Sequence, residues 1–183
     1  NGKINNKISK ITPYSNKDEM LSQSISILKK LINNNNIHAI SIGCAGPVLN
    51  SVMQGSKPMG ISENVNFKKV INKHTDLPIF IENDLKMAIR AEKKYGFGGS
   101  VKNLVVVSLS TGIGVAVIKN NTLLEGRIEI GHNIVENNID FHKSRSIERP
   151  RSWVSQASGS AIKSFLDENK KGISIKDFFK KPD

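Results

Sequence analysis

Two runs rich in β-branched residues, Leu104-Val105-Val106-Val107-Ser108-Leu109 and Gly114-Val115-Ala116-Val117-Ile118, are separated only by Ser110-Thr111-Gly112-Ile113. So short a glycine-bearing linker joins antiparallel neighbours, so a β-hairpin is predicted here, with Asn120-Asn121 starting the next turn. Upstream the pattern changes. Ile37 to Gly43 and Pro78 to Glu82 read as short buried strands, while Lys17 to Ile32, Phe67 to Lys73 and Asp84 to Tyr95 read as helices. Asn16 or Ser15 is the expected cap of the first helix, and Met20, Ile25, Ile27, Leu28, Leu31 and Ile32 its buried face. The Asn33 to Asn36 tract ends that helix, and Gly96 closes the third. Lys7 to Thr12 alternates weakly and reads as an edge strand closed by Pro13; Ala45 to about Glu63 reads as a long Gly- and Ser-rich loop. Ser158 to Lys170 is predicted helical, and Ser174 is placed as the cap of a last helix through Phe179. Strands that alternate with helices and later pair as a hairpin imply a mixed α/β sheet.

At 183 residues the chain can form one large domain or two small lobes with a true core. No apolar run approaches the roughly 18 residues of a membrane span, and Asn1 to Asn5 carries no signal pattern. Cys44 is the single cysteine, which excludes an intrachain disulfide and suits a reducing cytoplasm. The formal charge of +11 raises the question of nucleic acid. The lysines are nevertheless scattered as pairs such as Lys29-Lys30, Lys68-Lys69 and Lys93-Lys94, with little aromatic interleaving for base stacking. Solvated helix faces are therefore the preferred reading, and nucleic acid is not an expected partner. An anionic substrate such as a nucleotide would be drawn by the same charge.

Chemistry is concentrated at a few junctions. Glu82-Asn83-Asp84 lies where a buried strand gives way to a helix, at the sheet edge where open α/β folds bind ligands. A carboxylate there can take a proton from a hydroxyl, and an amide can fix a neighbouring hydroxyl. Either Asn83 or Asp84 could instead simply cap the helix, and on spacing alone the cap is preferred. Ser110-Thr111-Gly112-Ile113-Gly114 offers backbone N–H groups to a phosphate, yet it lacks the glycine spacing and following helix of a dinucleotide fingerprint. An unliganded hairpin turn is the preferred reading of it alone. Glu129 and His132 could hold adjacent hydroxyls or lie idle on a surface loop. His132 and His142 have no nearby cysteine, so a zinc ribbon is excluded and no metal ligand is assigned. Gly46-Pro47-Val48 is a tight turn by default.

Taken in order, Ile42-Gly43-Cys44-Ala45-Gly46-Pro47-Val48, Leu77-Pro78-Ile79-Phe80-Ile81-Glu82-Asn83-Asp84, Leu109-Ser110-Thr111-Gly112-Ile113-Gly114, Glu129-Ile130-Gly131-His132 and Ala157-Ser158-Gly159-Ser160-Ala161-Ile162 resemble the ROK family of sugar kinases. The resemblance covers about Ile37 to Ile162 and rests on the order and separation of five motifs. It implies a ribonuclease H-like/actin-like mixed sheet with flanking helices and parts of two lobes, divided as 1–83 and 84–183. It implies Asp84 as catalytic base, Asn83, Glu129 and His132 as sugar ligands, Gly46 in the turn lining the sugar pocket, and Thr111, Gly112 and Gly114 as an ATP phosphate loop. The implied reaction is phosphoryl transfer from ATP, with Mg2+, to a hexose or N-acetylhexosamine, at the 6-hydroxyl. A cytoplasmic homodimer is the implied setting.

Departures from the family pattern are equally specific. Its first phosphate loop, Asp-x-Gly-Gly-Thr, is missing, and the chain stops before the Gly-Gly element that holds adenosine, so the fragment alone is expected to be incomplete. The zinc-binding cysteines between His132 and Ser158 are absent, so no zinc is expected. A further sugar-binding glutamate would fall near Val154, with Glu148 as a conceivable substitute. Glu125 to Glu129 is shorter than the usual glycine-rich approach to His132. A non-catalytic sugar-binding regulator of the same fold is the alternative.

Overall fold

A computed structural model describes residues 4–33, 36–126, 128–135, 151–170 and 172–180. The chain forms two compact units, Asn1–Met87 and Ala88–Asp183. Among the described residues no helix is long and apolar enough to cross a membrane.

In the first unit, helix α1 (Lys17–Asn33) starts on a reciprocal cap. Asn16 Oδ1 accepts from the Glu19 N–H at 3.0 Å, and Asn16 Nδ2 donates to Glu19 Oε2 at 3.1 Å. Its buried face is narrower than the sequence suggests: Met20 is enclosed, with Leu21, Leu28 and Ile32 packed beside the core. Strand β1 (Ile40–Cys44) is followed by β2 (Val48–Leu49), β3 (Val52–Ser56) and β4 (Ile61–Val65), then helix α2 (Phe67–Ile71), strand β5 (Ile79–Asn83) and helix α3 (Asp84–Tyr95), which continues into the second unit. β1 and β5 pair in parallel from Ile40 opposite Ile79 to Cys44 opposite Asn83. Met20, Ile40, Met53, Ile61, Val65, Phe67, Ile71 and Ile79 form the core between these elements.

Three expectations need correction in this unit. Lys7 to Thr12 forms no strand, and its residues are exposed. Weak alternation cannot hold an extended segment without a hydrogen-bonding neighbour, and no strand lies beside it among the described residues. Strand β1 begins at Ile40 rather than Ile37, because its partner's pairing begins at Ile79. The supposed loop from Ala45 to Glu63 is an antiparallel meander, β2-β3-β4. Its Asn, Ser and Gly residues are turn formers between very short strands. Asn50 and Ser51 take φ of 50° and 61°, as a two-residue hairpin turn requires, and Gly55 at φ 79° sits where the β3–β4 register shifts.

The second unit carries the expected hairpin. β6 (Leu104–Leu109) and β7 (Ile113–Lys119) pair antiparallel from Leu104 opposite Ile118 to Leu109 opposite Ile113, so the turn is only Ser110–Gly112. Asn120 and Asn121, both at positive φ, then lead into β8 (Thr122–Leu123). Helices α4 (Trp153–Ala157), α5 (Gly159–Asn169) and α6 (Ile175–Phe178) follow, capped by the hydroxyls of Ser152, Ser158 and Ser174. Helix α4 went unread because a five-residue helix has no periodicity to show. Ile113, Val115, Ala116 and Ile118 of β7 are buried, as are Ala161 and Leu166 of α5. The result is mixed α/β: one parallel strand pair and two antiparallel three-stranded sheets among the described residues.

Candidate functional site

The first cluster stands at the C-terminal ends of the parallel pair. Asn83, the last residue of β5, has all four of its amide hydrogen-bonding capacities engaged. Its Nδ2 donates to the carbonyls of Gly46 at 3.1 Å and Cys44 at 3.4 Å, while its Oδ1 accepts from the N–H groups of Leu85 and Lys86, each at 3.1 Å. Asn83 therefore caps α3 and at the same time ties that helix to the turn after β1. Gly46 has no room for a side chain, since a Cβ there would stand 2.3 Å from the Gly55 carbonyl oxygen. The Ser56 hydroxyl donates to the Ala45 carbonyl beside it. Asp84 is exposed at the first position of α3, where Oδ1 accepts from the Leu85 N–H at 2.8 Å. The buried Cys44 thiol lies close enough to feel its surroundings: burial first, then the carboxylates of Asp84 and Glu82, push it up to about 11.

The second cluster belongs to the other unit. Glu129 and His132 flank a single 3₁₀ turn, Ile130–His132, with His132 Nε2 3.9 Å from Glu129 Oε2. His132 Nδ1 is buried and has no hydrogen-bond partner among the described residues. The turn is held from two sides. A Cβ on Gly131 would stand 2.4 Å from the Ile113 carbonyl oxygen and 2.7 Å from Val154 Cγ2, and the Trp153 N–H donates to the Asn133 carbonyl at 3.0 Å. Val154 thus presents a methyl group where the family pattern implies a carboxylate. Glu148 lies outside the described residues, as does His142.

Thr111 and Gly112 form the hairpin tip, while Gly114 lies within β7 opposite Ser108. The tip rests on the start of α5. The Gly159 N–H donates to the Ser110 carbonyl at 2.7 Å, the Ser160 N–H to the Thr111 carbonyl at 3.3 Å, and the Ser160 hydroxyl to that same carbonyl at 2.8 Å. Gly112 is open, with nothing within 4 Å of a would-be Cβ. Ser158-Gly159-Ser160 is legible in the sequence as a helix start and as part of a family motif, but not as a partner of the hairpin tip. The hydroxyl two residues into the helix was the available sign of an extra donor at that end. The structure thus gathers Gly46, Asn83 and Asp84 in one unit, and Thr111, Gly112, Gly114, Glu129 and His132 in the other.

Residues 1–182 match the family described as the ROK family. The xylose repressor of Bacillus subtilis is 31% identical over 115 residues, which cover 62% of this chain and 30% of the repressor. The glucokinase of Thermotoga maritima is 28% identical over 144 residues, covering 75% of this chain and 45% of the enzyme. Among solved structures, the ROK family glucokinase from Streptomyces griseus in complex with glucose and AMPPNP superimposes with a TM-score of 0.67 at 22% identity, covering 86% of this chain and 52% of that one. The chain thus spans less than half the length of these two sequence relatives. The shared architecture is the actin-like fold of these proteins, as the motifs implied.

Proposed function

Because the chain belongs to the ROK family, we propose that it carries the hexose-binding and proton-accepting residues of an ATP-dependent sugar kinase. The observation that carries this reading is the exposed Asp84 carboxylate at the end of the parallel pair, in the first turn of α3 and beside the turn that Asn83 clamps. In phosphoryl transfer the transition state is loose, so a protein works mainly by positioning and by offsetting charge. Asp84 orients the hexose hydroxyl, taken to be the 6-hydroxyl, and accepts its proton late in the transfer. In the second unit, Glu129 and His132 offer a carboxylate and an imidazole Nε2, groups of the kind that hold sugar hydroxyls. Asn83, implied by the family motif as a sugar ligand, has its amide engaged within the chain, so its part here is to align the Gly46 turn that it anchors.

The Thr111–Gly112 tip takes the nucleotide phosphates. Among the described residues no three His, Cys, Asp or Glu side chains gather as a metal site. A magnesium ion held by the phosphate oxygens would neutralise the charge that develops during transfer. A non-catalytic sugar-binding regulator is the second reading, favoured by the likeness to a xylose repressor and by the apolar Val154 beside the Glu129–His132 turn.

A coupled ADP-release assay of the full-length protein against a panel of hexoses separates the two. Sugar-dependent ADP release is expected; sugar binding with no release against any hexose would favour the regulator. In the active protein, Asp84→Asn is expected to lower turnover by about two to four orders of magnitude while hexose binding survives. Near-normal turnover would remove Asp84 from its role.

A further inference from the structure

We infer that Ser160 is a positioning residue for the nucleotide, holding the Thr111–Gly112 loop so that its backbone N–H groups face an incoming phosphate; this rests on the kinase reading above. A helix of 11 residues such as α5 starts with N–H groups that lack partners within the helix, and such an end commonly binds an anion directly. Here it does not. The first N–H, of Gly159, goes to the Ser110 carbonyl, the second, of Ser160, to the Thr111 carbonyl, and the third, of Ala161, to the Ser158 hydroxyl at 3.2 Å. The Ser160 hydroxyl adds a further donor to the Thr111 carbonyl.

Peptide geometry converts this grip into an anion receptor elsewhere. In a trans peptide the carbonyl of one residue and the N–H of the next point in opposite directions. With the Ser110 carbonyl drawn to α5, the Thr111 N–H points away from the helix. With the Thr111 carbonyl drawn the same way, the Gly112 N–H does too. Neither N–H has a hydrogen-bond partner among the described residues, and the open side of Gly112 leaves room for a group to approach. Two successive outward N–H groups are the minimal concavity for a phosphate oxygen. The loop is braced within itself as well, by the Ser110 N–H donating to the Gly112 carbonyl at 2.9 Å. Helix α5 thus acts on the nucleotide at one remove, through the orientation of two peptide planes.

The test uses the full-length protein, with calorimetric titration of ADP and, separately, of the preferred hexose. Ser160→Ala removes the hydroxyl and leaves the backbone bonds, and is expected to weaken ADP binding roughly three- to tenfold, the size of one neutral hydrogen bond. Hexose affinity should stay within about twofold, and Ser160→Thr, which keeps the hydroxyl, should restore ADP binding. Gly159→Ala, whose Cβ would stand 2.7 Å from the Ser110 carbonyl oxygen, should be worse than Ser160→Ala. Unchanged ADP affinity in Ser160→Ala would overturn the positioning role while leaving the loop as the nucleotide site. Equal losses for ADP and hexose, unrepaired by threonine, would overturn it as mere destabilisation. A wild-type protein that phosphorylates no sugar and binds no ADP would bring down the kinase reading itself, and this role with it.

Discussion

Asn83 illustrates how one side chain can settle the geometry around a reactive neighbour. Its oxygen serves the helix start and its nitrogen serves the turn after β1, so substitutions can separate the two roles. Asn83→Ser retains a capping oxygen but loses both donors, and is expected to cost about 1–2 kcal/mol. Asn83→Asp also retains the cap, yet sets a carboxylate against the Gly46 and Cys44 carbonyls, and should cost more; urea midpoints of both variants check the order. Cys44, one strand over, supplies a pH prediction. Its thiol is raised from 9.0 to about 11 by burial and then by Asp84 and Glu82, so the folded state keeps its proton longer than the unfolded chain does. Stability conferred by the neutral thiol is therefore complete below about pH 9 and is lost as pH rises through 11. Against Cys44→Ala, the parent chain should lose relative stability across that window in denaturation curves. A difference that stays flat with pH would refute the assignment.

Among the elements, backbone approach decides more than propensity. The meander β2-β3-β4 presses Gly55 against Gly46 so closely that Gly46→Ala should cost roughly 1–3 kcal/mol, whereas Gly112→Ala at the open hairpin tip should leave thermal stability unchanged. Melting temperatures of the two variants give a direct contrast. The same meander shows where reading from residues stops. Helices α1, α3 and α5 were legible because each repeats its apolar positions over 11 or more residues and begins at a recognisable cap. The strand pairs β1–β5 and β6–β7 were legible from β-branched runs, and the pairing of the latter from the shortness of its linker. Strands of two to five residues among Asn, Ser and Gly were not, since their pairing is fixed by turns at positive φ rather than by any hydrophobic pattern. At the site, the residue types at Asp84, Asn83 and His132 could be read in advance. The orientation of the Asn83 amide and the grip of Ser160 could not, because both depend on contacts distant in sequence.

Across the whole molecule, the excess of 27 basic over 16 acidic residues invites the idea of a nucleic-acid binder. The placement of those charges argues for local work instead. Lys30, Lys68 and Lys69, and Lys93 and Lys94 occupy the last turns of α1, α2 and α3, where cations offset the partial negative charge of a helix end. Lys93 goes further, its Nζ donating to the carbonyls of Gly98 at 3.1 Å, Gly99 at 3.3 Å and Val101, and so closing the chain that leaves α3. Lys17 faces Glu63 at 3.6 Å. Lysines engaged at separate helix ends neutralise few phosphates of one duplex together, so the affinity they give should be weak and non-specific. Binding to a random DNA duplex is therefore expected to be slight at about 50 mM salt and gone by about 200 mM, with a shallow slope of log affinity against log salt. Fluorescence anisotropy of a labelled duplex across that range checks this; a sequence-dependent complex that persists at the higher salt would assign the charge to DNA.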